Sequence, residues 1–326
     1  MGATVSWIKT LSFSERPGSL DRAVSDWIAA RETGTLREKA GKLTETYRHG
    51  RSSAHIDVAA YLTARMPATY AAIARVLFEV SKIAQGLAPH SMLDVGAGPG
   101  TASWAALDRW PDITSITMIE TDARFVTLAT ALAAASEIPA LAAAKIIKTK
   151  LDEATAKADL VVAAYVFAEL EERAAGKAAL KIWAQTENML VIIEPGTPRG
   201  AVRIRNARAA LLAAGAHIVG PCTHNNVCPM SGKDWCHFTQ RLARSREHMH
   251  AKAATVPFED EPFSWVAVSR EKFQLSNARI VAPPVTTKIG TTLKLCNPSG
   301  LSASMIASRD KAAYKHAKKL QWGDSI

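Results

Sequence analysis

The chain has 326 residues, 48% of them hydrophobic, with four cysteines and a net charge of +10. That length and apolar content allow a packed core organised as about two domains. The apolar runs fall short of the roughly 20 residues that a membrane span needs, so no membrane partner is expected, and so few cysteines exclude a disulfide scaffold.

Residues 1–85 are predicted to be helical. Ala, Leu, Arg and Glu dominate there, and apolar residues recur at spacings of three and four around Val24-Trp27-Ile28 and Ile73-Val76-Leu77-Val80. Pro67 suits a first helical turn, where its missing N–H costs nothing. Tyr47, Arg48, Arg51 and Arg65 dot this region and read as surface residues rather than substrate contacts. From about residue 88 short apolar runs alternate with helical stretches: 92–95, 115–119, 145–147, 160–164 and 190–193. These are predicted to be buried strands of a parallel sheet with crossover helices, the Ala-rich stretch 125–144 supplying one helix. Segments 217–219 and 263–268 are predicted to add the last two strands, separated by a Cys- and Arg-bearing insertion. After Arg270, runs at 279–281 and 291–295 suggest a small β-rich appendage, and 311–320 a basic terminal helix.

The sharpest motif is Leu93-Asp94-Val95-Gly96-Ala97-Gly98-Pro99-Gly100-Thr101, between a predicted strand and a helix beginning near Ala102. Glycines there let the backbone turn tightly and approach a ligand, with helix N–H groups facing it. Glu120, at the end of the second strand, is placed to accept both hydroxyls of a ribose. A nicotinamide dehydrogenase would use similar geometry. The pattern Asp-x-Gly-x-Gly-x-Gly, with Asp94 positioned for the ammonium of a methionine moiety, and a helical extension ahead of the loop favour S-adenosylmethionine instead. Asp122 reads as a helix cap. After the fourth strand, Tyr165 in Ala164-Tyr165-Val166-Phe167 either lines the pocket or sits in the core. No Asn/Asp-Pro-Pro-Tyr motif for an exocyclic amine follows.

The cysteines form Cys222-x5-Cys228-x7-Cys236 and a distant Cys296, with His224 and His237 nearby. Four thiolates suffice for a structural zinc site or an iron–sulfur cluster, and the long, uneven spacings fit a cluster better than zinc. The plainer alternative is four unrelated buried cysteines. If all four bind metal, none remains as the nucleophile that methylation of a pyrimidine carbon 5 normally needs. Residues 1–198 hold 21 Lys and Arg against 22 Asp and Glu, whereas residues 199–326 hold 19 against 8. A basic half joined to a neutral half points to a polyanion, RNA first, with Arg241, Arg244, Arg246, Lys315, Lys318 and Lys319 as candidate phosphate contacts.

Several blocks together resemble the methyltransferase-like family of the small ribosomal subunit, whose mitochondrial members associate with that subunit during assembly. They are Arg65-Met66-Pro67-Ala68-Thr69-Tyr70, the 94–100 loop and Ile193-Glu194-Pro195-Gly196-Thr197-Pro198. The most specific is Pro221-Cys222-Thr223-His224, Cys228-Pro229 and Asp234-Trp235-Cys236-His237-Phe238, followed by Glu261-Pro262-Phe263-Ser264-Trp265. The resemblance runs from about residue 45 to Trp322-Gly323-Asp324. It implies an α/β class I Rossmann-like methyltransferase fold, a four-iron four-sulfur cluster on Cys222, Cys228, Cys236 and Cys296, and a ribosomal RNA partner. It also implies that Asp94, Gly96, Gly98 and Glu120 lie near the nucleotide, and Ala97 and Gly100 of the same loop complete the expected cofactor-binding set. The expected organisation is a helical region 1–85, an S-adenosylmethionine-binding domain 86–270 with a Cys insertion at 221–260, and an appendage at 271–326. No mitochondrial presequence is evident, so the expectation is a cytoplasmic bacterial relative that forms no stable oligomer. Two function classes stand: an rRNA methyltransferase, and a non-catalytic assembly factor that keeps the fold.

Overall fold

The computed structural model describes residues 16–30, 57–252 and 254–326. Tyr47, Arg48 and Arg51 lie outside the described residues. Among the described residues, three helices precede the sheet: α1 (Gly18–Ala29), α2 (Val58–Ala64) and α3 (Met66–Ile83). Asp57 caps α2 by accepting from Ala60 N–H at 2.9 Å, and Pro67 occupies the first turn of α3, as its fixed φ favours. Met66, Tyr70, Ile73, Val76, Leu77 and Val80 bury one side of α3.

The sheet elements then follow: β1 (Ser91–Val95), α4 (Thr101–Arg109), β2 (Ser115–Glu120), α5 (Ala123–Ala134), α6 (Pro139–Ala142), β3 (Lys145–Lys148), β4 (Ala158–Ala164), α7 (Ala175–Ala184), β5 (Thr186–Pro195), α8 (Pro198–Ala213), β6 (His217–Gly220), β7 (Phe238–Ala243), α9 (Arg246–Ala251) and β8 (Phe258–Ser269). The strand order is β3-β2-β1-β4-β5-β8-β6, with β7 also on β8. The strands from β1 to β5 are mutually parallel, while β8 runs antiparallel to both β5 and β6. This is the class I methyltransferase arrangement, and it confirms the expected fold. Inner strands are buried on both faces. Leu160, Val162, Met189 and Val191 face the layer of α3 and α4, and Val161, Ala163, Leu190 and Ile192 face the layer of α7 and α8. The chain reverses its direction of travel across the sheet between β1 and β4, which opens a crevice at their C-terminal ends.

The predicted helix over 125–144 is interrupted at Ser136-Glu137-Ile138, and Pro139 starts the short α6. The insertion holds a strand that sequence patterning did not reveal, β7, which pairs with the first half of β8. β6 and β7 thus share one edge of β8, and residues 221–237 project between them. A second antiparallel sheet comprises β9 (Arg279–Ile280), β10 (Val285–Thr286), β11 (Gly290–Asn297) and β12 (Gly300–Ala307), followed by α10 (Lys311–Ala317). Ala278, Ile280, Leu293 and Leu295 form its small core. Ile280 N–H donates to Asp324 O and Gly323 N–H to Ile280 O, both at 2.9 Å, so the C-terminal segment is laced onto β9. Among the described residues no helix is long and apolar enough to cross a membrane.

Candidate functional site

The glycine loop lies at the C-terminal end of β1. Gly96, Gly98 and Gly100 have φ of 63°, 54° and 83°, a left-handed conformation that side chains disfavour. A Cβ on Gly96 would lie 2.5 Å from Val166 Cγ2, whereas one on Gly98 would meet nothing within 4 Å. Gly96 is therefore required by packing, and Gly98 faces open space. Ala97 N–H joins the loop to β2 through Ile119 O at 3.1 Å. Glu120 Oε2 accepts from Gly98 N–H at 2.9 Å, and its Oε1 accepts from Thr121 and Asp122 N–H at 2.6 and 2.9 Å. Asp122 caps α5, as its spacing suggested.

Asp94 is only 2% exposed and accepts from Ser103 N–H and Oγ–H at 3.0 and 2.8 Å. Burial pushes its carboxyl up to about 7 against the pull of Ser103. Its observed partner is the first turn of α4. The Thr101 hydroxyl, at the start of the same helix, is buried without a hydrogen-bond partner among the described residues.

Arg65 and Tyr165, each noted in the sequence singly, are brought together by Glu261. Arg65 binds the buried Glu261 through Nη1 at 3.0 Å and Nη2 at 2.8 Å, and its guanidinium lies 4.9 Å from the Tyr165 ring centroid. Arg65 is thus a half-buried ion-pair partner and not a surface charge. Tyr165 donates its hydroxyl to Glu261 at 3.2 Å. It is also the one non-glycine among the described residues with positive φ, 63°. Such a conformation is strained, and here the side chain reaches Glu261 on β8. Burial and the neighbouring Glu261 carboxylate push the Tyr165 phenol well above its ordinary range. Glu194, at the end of β5, is fully buried and accepts from Phe167 N–H at 2.8 Å, while its Oε2 has no hydrogen-bond partner among the described residues. Burial pushes it up to about 8, opposed by the Phe167 N–H and the Arg203 charge. No sequence motif marked Arg65 and Glu261 as a pair, because 196 residues separate them.

The four cysteines are all free thiols and gather beside one another. Cys236 lies within electrostatic reach of Cys222, Cys228 and Cys296. Burial pushes the Cys222 and Cys236 thiols up and that of Cys296 up to about 11. Cys222, Cys228 and Cys236 border a cavity of about 440 Å³ that Met230, Trp235 and Trp265 also line. Arg208 Nε donates to Cys222 Sγ at 3.3 Å. His224 Nε2 is 3.7 Å from Cys296 Sγ, while His237 is stacked on Trp235 and meets Trp322 edge-on. Among the described residues no three His, Cys, Asp or Glu side chains are gathered tightly enough to hold a single metal ion.

The candidate RNA contacts divide into two groups. Arg241 pairs with Asp260 through two contacts of 2.7 Å and lies over Phe258, and Arg244 donates to Val256 O at 3.1 Å. Arg246, Lys315, Lys318 and Lys319 are exposed, the lysines on α10 and just beyond it.

With this geometry in view, comparison with known proteins decides the family. The model of the family described as mitochondrial small ribosomal subunit Rsm22 matches residues 55–326. The chain belongs to this family. Among curated proteins, the human mitochondrial ribosome assembly protein METTL17 is 23% identical over 288 residues, covering 82% of this chain and 61% of that protein. A mitochondrial Rsm22-cox11 tandem protein of the fission yeast Schizosaccharomyces pombe is 25% identical over 324 residues, covering 82% and 42%. The chain thus spans about half the length of the curated relatives it matches. The expectation of a cytoplasmic bacterial protein is corrected by these findings, since the matched relatives are mitochondrial. Among solved structures, a S-adenosylmethionine-bound magnesium protoporphyrin IX methyltransferase from Synechocystis aligns with a TM-score of 0.42 at 11% identity, covering 74% of this chain and all of that one. A Leishmania major S-adenosylmethionine-dependent methyltransferase gives a TM-score of 0.44 at 14% identity, covering 75% and 90%.

Proposed function

We propose that this protein binds S-adenosylmethionine in the β1–α4 crevice and acts in assembly of the small ribosomal subunit, contacting its RNA. The observation that carries this reading is the run of three left-handed glycines into α4, with the Glu120 carboxylate beside Gly98 at the sheet's reversal point. Gly98 leaves room for a ligand, and Glu120 is placed for a ribose. Asp94 braces the helix whose N–H groups would face the methionine part. When bound, S-adenosylmethionine supplies an electrophilic methyl group. Tyr165, Arg65 and Glu261, joined to one another, would border the crevice beyond the end of β4.

The thiol set also fits a soft metal group: four unpaired sulfurs, a partly enclosed space and a guanidinium donating to one thiol. Cys222, Cys228, Cys236 and Cys296 would hold a four-iron four-sulfur cluster that ties the insertion to β11. A single zinc ion is the alternative, and the spread of the thiols favours the cluster.

One observation favours a non-catalytic factor over an rRNA methyltransferase. The Tyr165 hydroxyl and the Arg65 guanidinium, the polar groups nearest the end of β4, are both engaged by Glu261. The deciding experiment incubates cluster-loaded protein and labelled S-adenosylmethionine with immature small subunits, followed by mapping of modified nucleotides. A mapped methyl group establishes the enzyme. Tight binding of both cofactor and subunit without methyl transfer establishes the assembly factor, and absence of cofactor binding by calorimetry overturns the proposal.

A further inference from the structure

We infer that Arg208 and Arg279 are built-in counter-charges of the four-cysteine site, neutralising anionic thiolates and setting how readily the bound cluster accepts an electron. The inference rests on the cluster reading above.

Arg208, on α8, is 4% exposed. Its Nε donates to Cys222 Sγ at 3.3 Å, and its Nη2 donates to His224 O and Asn226 O, both at 2.8 Å. It therefore grips the segment between Cys222 and Cys228 and touches a ligand sulfur directly. Among the described residues no carboxylate stands within ion-pair distance of it. A cation taken out of water needs an anion or a full set of acceptors. Two carbonyls and a neutral thiol offset it poorly, whereas a thiolate offsets it directly.

Arg279 approaches the cysteines from the other sheet, beside them rather than bonded to a sulfur. It is 2% exposed and is the cross-strand partner of Cys296 in the β9–β11 pairing. Its Nη1 donates to Gly323 O at 2.7 Å and lies 3.7 Å from Glu79 Oε2. Glu79 is shared with Arg75 at 3.1 Å and Lys82 at 3.9 Å, so a single carboxylate serves three cations. The Arg279 guanidinium also stands 6.0 Å from the ring of Trp265, a residue lining the cysteine cavity. Four neutral thiols have no need of two buried cations. Four thiolates around an iron–sulfur core, a net anion, do.

The test uses the full chain purified without oxygen, with iron and sulfide content, visible absorbance and a mediated redox titration followed by electron paramagnetic resonance. The step titrated is uptake of one electron from the electrode by cluster iron, with no bond broken. Arg208→Gln and Arg279→Gln are each expected to lower the midpoint potential, making the reduced cluster about tenfold scarcer at fixed potential, a shift of about 59 mV for one electron. Arg208→Lys is expected to restore most of the shift. Glu79→Gln, which removes the shared anion near Arg279, is expected to move the potential the opposite way. Unmoved potentials in iron-loaded Gln variants would overturn the counter-charge while leaving the cluster reading intact. Should Arg208→Gln lose its iron, retention by Arg208→Lys supports the charge role, and loss from both overturns it in favour of a purely geometric clamp. Wild-type protein without iron would overturn the cluster reading itself, and this inference with it.

Discussion

Glu120 Oε2 accepts a hydrogen bond from Gly98 N–H at 2.9 Å, so the carboxylate placed for a ribose also fixes the loop that would surround the ligand. Its other oxygen accepts two further backbone N–H groups, those of Thr121 and Asp122. Replacing Glu120 by Ala removes an acceptor shared by three backbone donors. Hydrogen bonds to charged groups contribute about 1.5–3 kcal/mol each, so affinity for S-adenosylmethionine is expected to fall at least tenfold. Calorimetry on the loaded protein checks this, and unchanged affinity would place the ligand elsewhere.

The two inner glycines of the loop separate packing from binding. Gly98→Phe points a side chain into open space, at the strain cost of about 1–2 kcal/mol for a left-handed residue, and is expected to abolish cofactor binding with a small drop in Tm. Gly96→Ala forces a methyl against Val166, at 2.5 Å, and is expected to cost more stability than that strain alone. Equal melting temperatures for the two variants, or cofactor binding by Gly98→Phe, would contradict the assignment.

Much of this site was legible because it is local. The loop, Glu120 and the Asp122 cap lie within thirty residues and carry type-specific spacing. The inner parallel strands β1, β4 and β5 announced themselves as apolar runs, since both of their faces are buried. β12 escaped notice because Ser302, Ala303 and Ser304 have weak strand propensity and the strand lies at an edge. β7 escaped because buried Gln240 breaks its apolar alternation. The Arg65–Glu261–Tyr165 cluster was illegible for a different reason: its members meet only when α3, β4 and β8 are assembled.

Glu194 makes stability depend on pH. Burial lifts its folded value to about 8 from an ordinary 4.5. Between those values the folded chain holds a proton that the unfolded chain has released, so stability falls as pH rises, by up to about 1.4 kcal/mol per unit. Below the lower value that penalty is absent. Glu194→Gln keeps an acceptor for Phe167 N–H but cannot ionise. Urea titrations from pH 5 to 8 are expected to show a shallower decline for this variant, and parallel profiles would rule out the buried carboxyl as the cause.

RNA binding should follow the exposed lysines rather than the paired arginines. Replacing Lys315, Lys318 and Lys319 by Gln is expected to reduce the log–log salt slope by about 2–3, since each phosphate contact contributes roughly 0.7–0.9. Arg241→Gln breaks a contact to Asp260 within the protein and is expected to leave the slope nearly unchanged. Filter binding to small-subunit RNA at several salt concentrations distinguishes the two, and a slope reduced mainly by Arg241→Gln would reverse the assignment.

Cys296 tests whether a cluster joins the two sheets. It lies on β11 opposite Arg279 and Leu301, and its carbonyl accepts from Thr223 Oγ–H at 3.3 Å, next to Cys222. Asn226 also donates to Pro298 O at 3.1 Å, so the insertion and the second sheet touch without any metal. Lys294 on β11 also pairs with Asp234, and Met230 packs with Val281 and Cys296, but the second sheet's own core is small. A metal bridge between segments sixty residues apart would close a long loop and add stability that the local contacts do not provide. Protein purified without oxygen is therefore expected to be brown, and Cys296→Ser to bleach it. In the same variant, amide exchange is expected to accelerate across β9, β11 and β12 while β1, β4 and β5 keep their protection. Chelation of the metal from unmutated protein should reproduce that pattern. Colourless protein carrying one zinc per chain would replace the cluster but keep the ligands, and metal-free folded protein with four titratable thiols would overturn both.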